Sequence, residues 1–557
     1  MGGRSITPGL TTLDQPRADP PLSVEHAVAA NGNEEGDEKA DDFERHESRK
    51  RTAGIMVVVF AGYLALSFGL WWNVWSTHPA GTTTCACGDA SLFLWFLEWP
   101  AYAIAHGHNP FFSTAMFHPT GVNLLSNTSV LAIGFLLAPV TWLFGPVATL
   151  NVACLLGPAL NAVAMFWLLR RWVKWTPASL IGGLVFGFSP FVVTNSAWTH
   201  FMTSWLVLVP LIVGMLDEIL VRQRSSPRKA GVLLGLLVSL EFFVGTEMLM
   251  ILAVCTIGGL AVLLVAAWLR DSKLVKDRAA RAVVGLTAAG ITAVVLLSYP
   301  VWFALDGPDH LSGLVWPSLE PGRGGINLSN LWSLDFQTSL RHIMLFIGGY
   351  QGAALPASEY LGLGLSIVTV GGLVLWWRDL RLLFLAWLAV MATVLSLGVN
   401  PSYWVPWNVL RHIPVIQNII PARFIAVTTF AAAAMLAIVL DKCHSALAAI
   451  AGRVWRSTRS LVPVGATIAT MAIATVAVLP MGTAMASNIP LTATAAVLPQ
   501  WFAQEGRVVP SGQVLLTYPA PFSLFQGSLG WQAMDLMGYS MAGGAGPAAL
   551  PVRAGME

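Results

Sequence analysis

Four ionisable side chains stand at the ends of long apolar segments, where a membrane protein would meet water. Asp89 follows the first segment, His200 and Glu247 occupy short turns between later ones, and Arg423 opens another. A carboxylate can take a proton from a hydroxyl group, and a guanidinium can hold a phosphate through two parallel hydrogen bonds. These residue types therefore predict a site that combines a general base with a phosphate ligand.

Asp89 is the candidate base, and it lies between Gly88 and Ala90 at the start of a long apolar stretch. Partial burial would raise the pKa of its carboxyl group and make it a stronger base. The alternative is that Asp89 caps a helix that starts at Ala90, since aspartate is favoured at that position. The two roles are compatible, because a cap would also orient the carboxylate.

Arg423 is the candidate phosphate ligand, because it lies apart from the basic clusters expected in the cytoplasmic loops. The alternative is that its long side chain reaches the lipid headgroups. Arg341, Arg411 and His412 are weaker candidates for the same role.

Glu247 is a candidate substrate ligand, because an acid beside apolar segments is costly unless it has a function or a partner. A helix cap or a buried ion pair is the alternative, and Glu241 in the preceding segment could be its partner or competitor. His200 could bind a sugar or a phosphate, or could be an ordinary interfacial histidine.

Further polar residues are expected to line the same side of the membrane. His106, His108 and Asn123 belong to the stretch after Asp89. Glu359 and Tyr360 begin a later apolar segment, and capping of that segment by Ser358 is the alternative. All five are candidate substrate-binding residues.

No metal or other cofactor is predicted. His106 and His108 could share a divalent metal with Asp89, but residues at i and i+2 do not lie on one helical face. Cys85 and Cys87 have a spacing that suits neither a common zinc site nor a disulfide between them. Divalent metal therefore remains a minor alternative.

The composition predicts a protein with many membrane spans. Of its 557 residues, 55% are hydrophobic and 11% charged, against about 25% charged in soluble domains. Apolar stretches long enough to cross a bilayer recur along the chain. The net charge of +2 argues against a nucleic-acid partner.

The basic residues give these spans a direction. Residues 1–52 are expected to be a disordered cytoplasmic tail, because basic residues adjoin the first span. All later basic clusters are cytoplasmic only if residues 127–145 do not cross, so 90–106 and 127–145 are predicted to lie along or dip into the outer leaflet. The eleven predicted spans are 53–75, 149–170, 178–195, 201–221, 230–246, 248–269, 282–303, 360–377, 380–398, 422–441 and 461–485.

The predicted architecture is all-α and polytopic. Residues 53–485 form the membrane domain, whose first external loop, 76–148, carries juxtamembrane helices. Residues 486–557 form a short external C-terminal segment without an assignable fold. Asp89, Glu247, His200 and Arg423 then all face outside.

Several phrases resemble the GT-C superfamily, and more narrowly bacterial membrane glycosyltransferases with the same first loop. The similarity covers most of residues 53–540. The phrases are His106-Gly107-His108-Asn109-Pro110-Phe111, Pro119-Thr120-Gly121-Val122-Asn123-Leu124, Glu359-Tyr360-Leu361-Gly362, Pro421-Ala422-Arg423-Phe424 and the piece around Tyr518-Pro519.

The resemblance implies an enzyme of the bacterial plasma membrane that uses a sugar linked to polyprenyl phosphate. The acceptor would be a glycan, lipid or protein on the outer side, among membrane lipids. Asp89 would deprotonate the acceptor hydroxyl, Arg423 with His200 or Arg341 would hold the donor phosphate, and Glu247 would shape the sugar site. A single displacement would invert the anomeric centre. A transporter or flippase of a lipid-linked saccharide is the alternative, and a structural scaffold explains less.

Overall fold

The computed structural model describes residues 52–84, 88–126, 128–311, 313–315, 320–332, 358–399, 404–454, 462–486, 489–504, 513–518, 521 and 526–545. Val59–Glu557 forms one compact unit, and of Met1–Val58 only the start of the first helix is described. The predicted disordered tail, Cys85, Cys87 and Arg341 lie outside the described residues.

Helices dominate the described chain. In the first half they are α1 Thr52–Leu70, α2 Trp72–Ser76, α3 Gly88–His106, α4 Leu131–Leu169, α5 Thr176–Gly187, α6 Pro190–Ala197, α7 Phe201–Ser204, α8 Leu208–Asp217, α9 Pro227–Val244, α10 Thr246–Arg270 and α11 Ser272–Asp306. In the second half they are α12 Leu363–Leu375, α13 Leu380–Ser396, α14 Trp407–Leu410, α15 Ile425–Val454, α16 Val462–Ala486, α17 Gln500–Gln504 and α18 Gly527–Met534.

Short irregular helices and strands complete the fold. A π-helical turn, Glu218–Arg222, extends α8. The 3₁₀ turns are Leu124–Ser126, Leu328–Leu331, Ile416–Asn418 and Pro421–Phe424, the last leading directly into α15. The strands are β1 Thr82–Thr83, β2 Phe112–Ser113, β3 Val122–Asn123, β4 Thr494–Ala495, β5 Val514–Leu515 and β6 Ser540–Met541.

The predicted helical, polytopic architecture is confirmed. Within the described residues, eight helices are long and apolar enough to cross a membrane. The other three of the eleven predicted spans are the helices α9, α12 and α13. The direction of the spans, with the N-terminus inside and the C-terminus outside, stays a prediction.

Helix α4 joins two segments that the sequence treats separately. It runs from Leu131 to Leu169, and only Gly145 interrupts the helical backbone, at φ 81° and ψ 171°. Glycine tolerates this left-handed φ because it has no Cβ. The predicted juxtamembrane piece 127–145 is therefore largely helical and meets the span 149–170 at a kink.

The middle of the helical unit is built around α15. Almost all of its apolar stretch is buried, whereas most of α11 is exposed along its length. Small residues let neighbouring helices approach α15, since a Cβ on Gly182 of α5 would lie 3.0 Å from the Cβ of Ala437. Close packing of small residues is a main source of attraction between helices in a bilayer, where apolar burial drives little.

The chain after α16 returns to the first loop. Strand β4 pairs antiparallel with β1, so Thr494 lies opposite Thr83. Further along, the backbone N–H of His118 donates to the carbonyl of Met541 at 2.9 Å, and the N–H of Met541 donates to Ala115 at 2.8 Å. The C-terminal segment thus packs on the loop that carries Asp89.

Candidate active site

Asp89 and His200 form the centre of the candidate site. Asp89 lies in the first turn of α3, and His200 directly precedes α7. Asp89 Oδ2 is 2.7 Å from His200 Nε2. Helix α3 begins at Gly88, so Asp89 lies inside its first turn and does not cap a helix starting at Ala90. The position still suits an acid, because the N-terminal end of a helix carries partial positive charge.

Backbone contacts hold His200 at this position. The chain leaves α6 through Thr199, whose φ is +62°, and the N–H of His200 donates to the carbonyl of Asn195 at 2.8 Å. The hydroxyl of Thr203 donates to Asn195 Oδ1 at 2.9 Å. These hydrogen bonds therefore hold the turn so that the imidazole of His200 lies against α3.

The pKa of Asp89 is lowered, which corrects the expectation that burial would raise it. The hydrogen bond from His200 is the largest cause of the decrease, and burial opposes it. The charge of His200, a hydrogen bond from Gln526 and the charge of Arg423 also lower it. Asp89 is therefore ionised at neutral pH and able to receive a proton.

Arg423 and Glu247 form a second pair. The Arg423 guanidinium donates to Glu247 Oε2, and the backbone N–H of Ile420 donates to Glu247 Oε1 at 2.7 Å. Both side chains are mostly buried. The ion pair that the sequence left as an alternative for Glu247 is thus present, and Arg423 is its partner in place of Glu241.

The two pairs belong to one electrostatic site. Arg423 lowers the pKa of Asp89 through its charge, although Asp89 pairs directly with His200. The turn before α10 also lies against α7, because a Cβ on Gly245 would meet the carbonyl oxygen of Met202 at 2.9 Å. Glu247 and His200 are therefore carried by elements in direct contact.

Gln526 is a site residue that the sequence did not indicate. Its Nε2 is 3.5 Å from Asp89 Oδ1, and its side chain is buried. The two residues are 437 positions apart. A single glutamine in a stretch without assignable fold carries no local signal that could have pointed to Asp89.

The structure separates His106 and His108 from Asp89. His106 lies at the opposite end of α3, about 25 Å from Asp89 given the helical rise per residue. Its ring stacks on Tyr102 with centroids 4.0 Å apart, and His108 also stacks on Tyr102 at 5.7 Å. Their predicted role beside Asp89 is therefore not supported by position.

Asn123 stabilises the first loop through hydrogen bonds. Its Nδ2 donates to the carbonyls of Phe303 at 2.8 Å and Pro308 at 3.1 Å, and its Oδ1 accepts from the N–H of Leu125. The side chain is fully buried. These bonds tie the loop to the end of α11, and the role of Asn123 as a substrate ligand stays a prediction.

Glu359 and Tyr360 lie before α12. Glu359 Oε1 accepts a hydrogen bond from the hydroxyl of Ser358 at 2.8 Å, and Tyr360 is buried. The helix begins only at Leu363, so Ser358 does not cap it. Of the weaker candidates for the phosphate, Arg341 lies outside the described residues, and Arg411 Nε donates to Nε2 of the adjacent His412 at 3.3 Å.

In the part of the chain that the structure describes, no group of three His, Cys, Asp or Glu side chains could hold a metal ion. This absence does not test the need for a metal. The prediction of a cofactor-free site therefore stays a prediction.

The chain is similar to several solved structures, at low sequence identity. No family model and no curated protein matches the chain in sequence. It is similar to the apo oligosaccharyltransferase of Archaeoglobus fulgidus, with 14% identity and a TM-score of 0.48 over 88% of this chain and 64% of that one. The archaeal oligosaccharyltransferase AglB with an inhibitory peptide and a dolichol-phosphate gives 14% and 0.44 over the same shares.

The chain thus spans just under two thirds of those oligosaccharyltransferases. It is also similar to ArnT from Cupriavidus metallidurans bound to undecaprenyl phosphate, with 12% identity and a TM-score of 0.42 over 87% of this chain and 85% of that one. Two of these three solved structures are of archaeal oligosaccharyltransferases, and the third is of a protein bound to undecaprenyl phosphate.

Proposed function

We propose that this protein is a membrane glycosyltransferase that moves a sugar from a polyprenyl-phosphate carrier to an acceptor hydroxyl on the outer face of a bacterial plasma membrane. The observation that carries the proposal is the carboxylate of Asp89, ionised, paired with His200 and within the field of Arg423. A base and a phosphate ligand on neighbouring elements are the parts that this reaction requires.

The reaction is a single displacement in this proposal. The acceptor oxygen attacks the anomeric carbon, and the bond from that carbon to the phosphate oxygen breaks with its electron pair remaining on the phosphate. Asp89 takes the proton of the acceptor hydroxyl, and Arg423 offsets the charge on the departing phosphate. Attack from the side opposite the phosphate inverts the configuration of the sugar.

His200 has a different role here from the one the sequence suggested. Its imidazole binds Asp89 Oδ2 directly, so it is a positioning residue for the base and not a ligand of the sugar or the phosphate. Glu247 likewise acts through Arg423, whose side chain it holds from the first turn of α10. Donor binding then falls chiefly to Arg423.

The test is transfer by purified Asp89→Asn protein from polyprenyl phosphate carrying mannose, glucose or arabinose. Loss of the base should reduce the rate by about 10²- to 10⁴-fold while expression and thermal stability stay near wild type. Asp306→Asn removes an exposed aspartate at the end of α11 and is the matched control. Full transfer by Asp89→Asn would refute the assignment.

A flippase of a lipid-linked saccharide is the second candidate, and Glu241 is the observation that favours it. This acid is fully buried inside α9, one of the predicted spans. Buried acids within spans often mark transport pathways. Movement of a fluorescent lipid-linked sugar across proteoliposomes, without any new glycosidic product, would favour this candidate over transfer.

A further inference from the structure

The chain beyond α16 contains very little charge. Residues 487–545 include only three charged residues, Glu505, Arg507 and Asp535. In soluble domains about 25% of the residues are charged, and most of these side chains face water. A segment of this length that faced only water would therefore be expected to contain several times as many charged residues.

Large apolar side chains are exposed in this segment. Val514, Leu516 and Tyr518 are 41%, 81% and 98% exposed, whereas Leu515 packs against the core. This alternation is typical of an extended chain, whose successive side chains point to opposite faces. Both faces of the chain at β5 are therefore apolar, and the exposed one, formed by Val514, Leu516 and Tyr518, is called the β5 face below.

The β5 face has a fixed place on the protein. Strand β5 pairs parallel with β6, and Met541 of β6 is hydrogen-bonded through its backbone to the first loop. Trp501, which is 45% exposed, belongs to the same region, because its neighbour Phe502 stacks on Tyr539 just before β6 with ring centroids 5.4 Å apart. Exposed apolar side chains therefore cluster around β5 and β6.

The segment is also tied to the ends of two spans. Helix α16 ends at Ala486, and the N–H of Leu491 then donates to the carbonyl of Leu70, the last residue of α1, at 2.9 Å. Asn73 Nδ2 donates to the carbonyl of Leu491 at 3.0 Å. The segment thus starts where two spans leave the bilayer, and lipid is the apolar partner next to it.

We propose that the β5 face binds the lipid bilayer, in the leaflet nearest Asp89. The scarcity of charge, the exposed apolar side chains and the attachment to the ends of α1 and α16 all fit a lipid surface. Residues 489–545 then lie on the membrane beside the candidate site. This contact is independent of the proposed transfer reaction.

The backbone of β5 limits how deeply the segment lies. Within the described residues β5 pairs with β6 alone, so the N–H and C=O groups of its other edge need water or lipid headgroups. Tyrosine and tryptophan are enriched at the headgroup level, where the ring is in contact with lipid and the polar atom with water. The strand therefore lies among the headgroups, and the side chain of Leu516 reaches the acyl chains.

The first test places a photo-crosslinker on the β5 face. Full-length protein with Leu516→p-benzoylphenylalanine or Tyr518→p-benzoylphenylalanine is irradiated in nanodiscs of phosphatidylethanolamine and phosphatidylglycerol, and peptides are analysed by mass spectrometry. Lipid adducts should form at both positions with a yield similar to that at Val294, an exposed residue of the α11 span. Arg323, an exposed and charged residue, is the matched control and should give few lipid adducts.

The second test uses the unmodified protein, so it does not depend on the folding of a variant. Hydroxyl radicals generated in water oxidise the side chains that water reaches, and tyrosine reacts readily. In the same nanodiscs Tyr518 should be oxidised several-fold more slowly than the tyrosine of a free peptide of residues 513–518, although it is 98% exposed on the protein.

Two results would overturn the proposal. An unpaired strand edge can also pair with another chain, so adducts between two protein chains at Leu516, in place of lipid adducts, would show that the β5 face is an interface between copies. Oxidation of Tyr518 at the rate of the free peptide, with no lipid adduct at either position, would show that the face is in contact with water.

Discussion

The guanidinium of Arg423 donates to the carboxylate of Glu247, although 176 residues separate them. The same carboxylate accepts the backbone N–H of Ile420, so it holds both the side chain and the turn that carries it. An arginine has five N–H groups, and this bond uses one of them. Arg423 is therefore oriented by a carboxylate while it keeps the donors that a phosphate needs.

Replacing Arg423 should weaken binding of the donor. Hydrogen bonds to charged groups contribute about 1.5–3 kcal/mol, so Arg423→Ala should raise the donor KM about 10- to 100-fold. Arg423→Lys should recover only part of this loss, because an ammonium lacks the planar fork of a guanidinium. Initial rates against donor concentration at fixed acceptor measure both. Arg323→Ala, at an exposed arginine that pairs with Glu320, should leave the donor KM unchanged.

His200 should control the acid side of the pH profile. Its hydrogen bond lowers the pKa of Asp89 more than any other cause, so His200→Gln should raise that pKa and move the acid limb of kcat/KM to higher pH. An acid limb at the same pH in wild type and His200→Gln would contradict the pairing.

Asp89 also affects stability. Because the pKa of Asp89 is lower in the folded protein, this carboxylate stabilises the fold above its ordinary pKa and loses that effect as the pH falls through its folded value.

The spans could be predicted from the sequence, because runs of apolar residues report directly on burial in lipid. Asp89, His200, Glu247 and Arg423 could be identified for a related reason, since charged and polar groups at the ends of such runs are unusual. Their pairing could not be predicted. His200 lies 111 positions from Asp89, and no local pattern encodes that contact.

His106 and His108 show that residues near each other in sequence can be far apart in space. His106 and His108 are near Asp89 in sequence, but α3 is a single helix that carries them to its far end. Gln526 is distant in sequence and close in space because the C-terminal segment folds back on α3. Separation along the chain therefore does not indicate which residues are close in space when a helix or a returning segment lies between them.

Glu98 should destabilise the protein as the pH rises. It is buried in α3, and burial raises its pKa from 4.5 to about 8. An unfolded chain releases this proton at lower pH than the folded protein, so stability should fall between about pH 4.5 and pH 8. Glu98→Gln keeps the shape without the ionisation, and it should be more stable than wild type at pH 8, on the order of 1–4 kcal/mol.

Thermal unfolding in detergent at pH 5 and pH 8 checks this expectation for Glu98. The difference in Tm between Glu98→Gln and wild type should be small at pH 5 and larger at pH 8. A constant difference across this range would show that Glu98 ionises normally in the folded protein.

Gln532 should hold the C-terminal segment in place. Gln532→Ala removes three buried hydrogen bonds and leaves Trp95 Nε1 without its partner, which should cost about 2–4 kcal/mol. Residues 526–545 should become sensitive to limited proteolysis in the folded protein. Tyr518→Ala, at a side chain that is 98% exposed, is the control. Equal protection in the two variants would contradict the anchoring role.

The antiparallel pairing of β1 with β4 has a consequence for biosynthesis. Thr83 leaves the ribosome more than four hundred residues before its partner Thr494, and Asp89 precedes Gln526 by a similar interval. The helices that surround Asp89 are thus inserted before the strand and the glutamine that complete its surroundings exist. A nascent chain therefore carries Asp89 without these partners until more than four hundred further residues have been made.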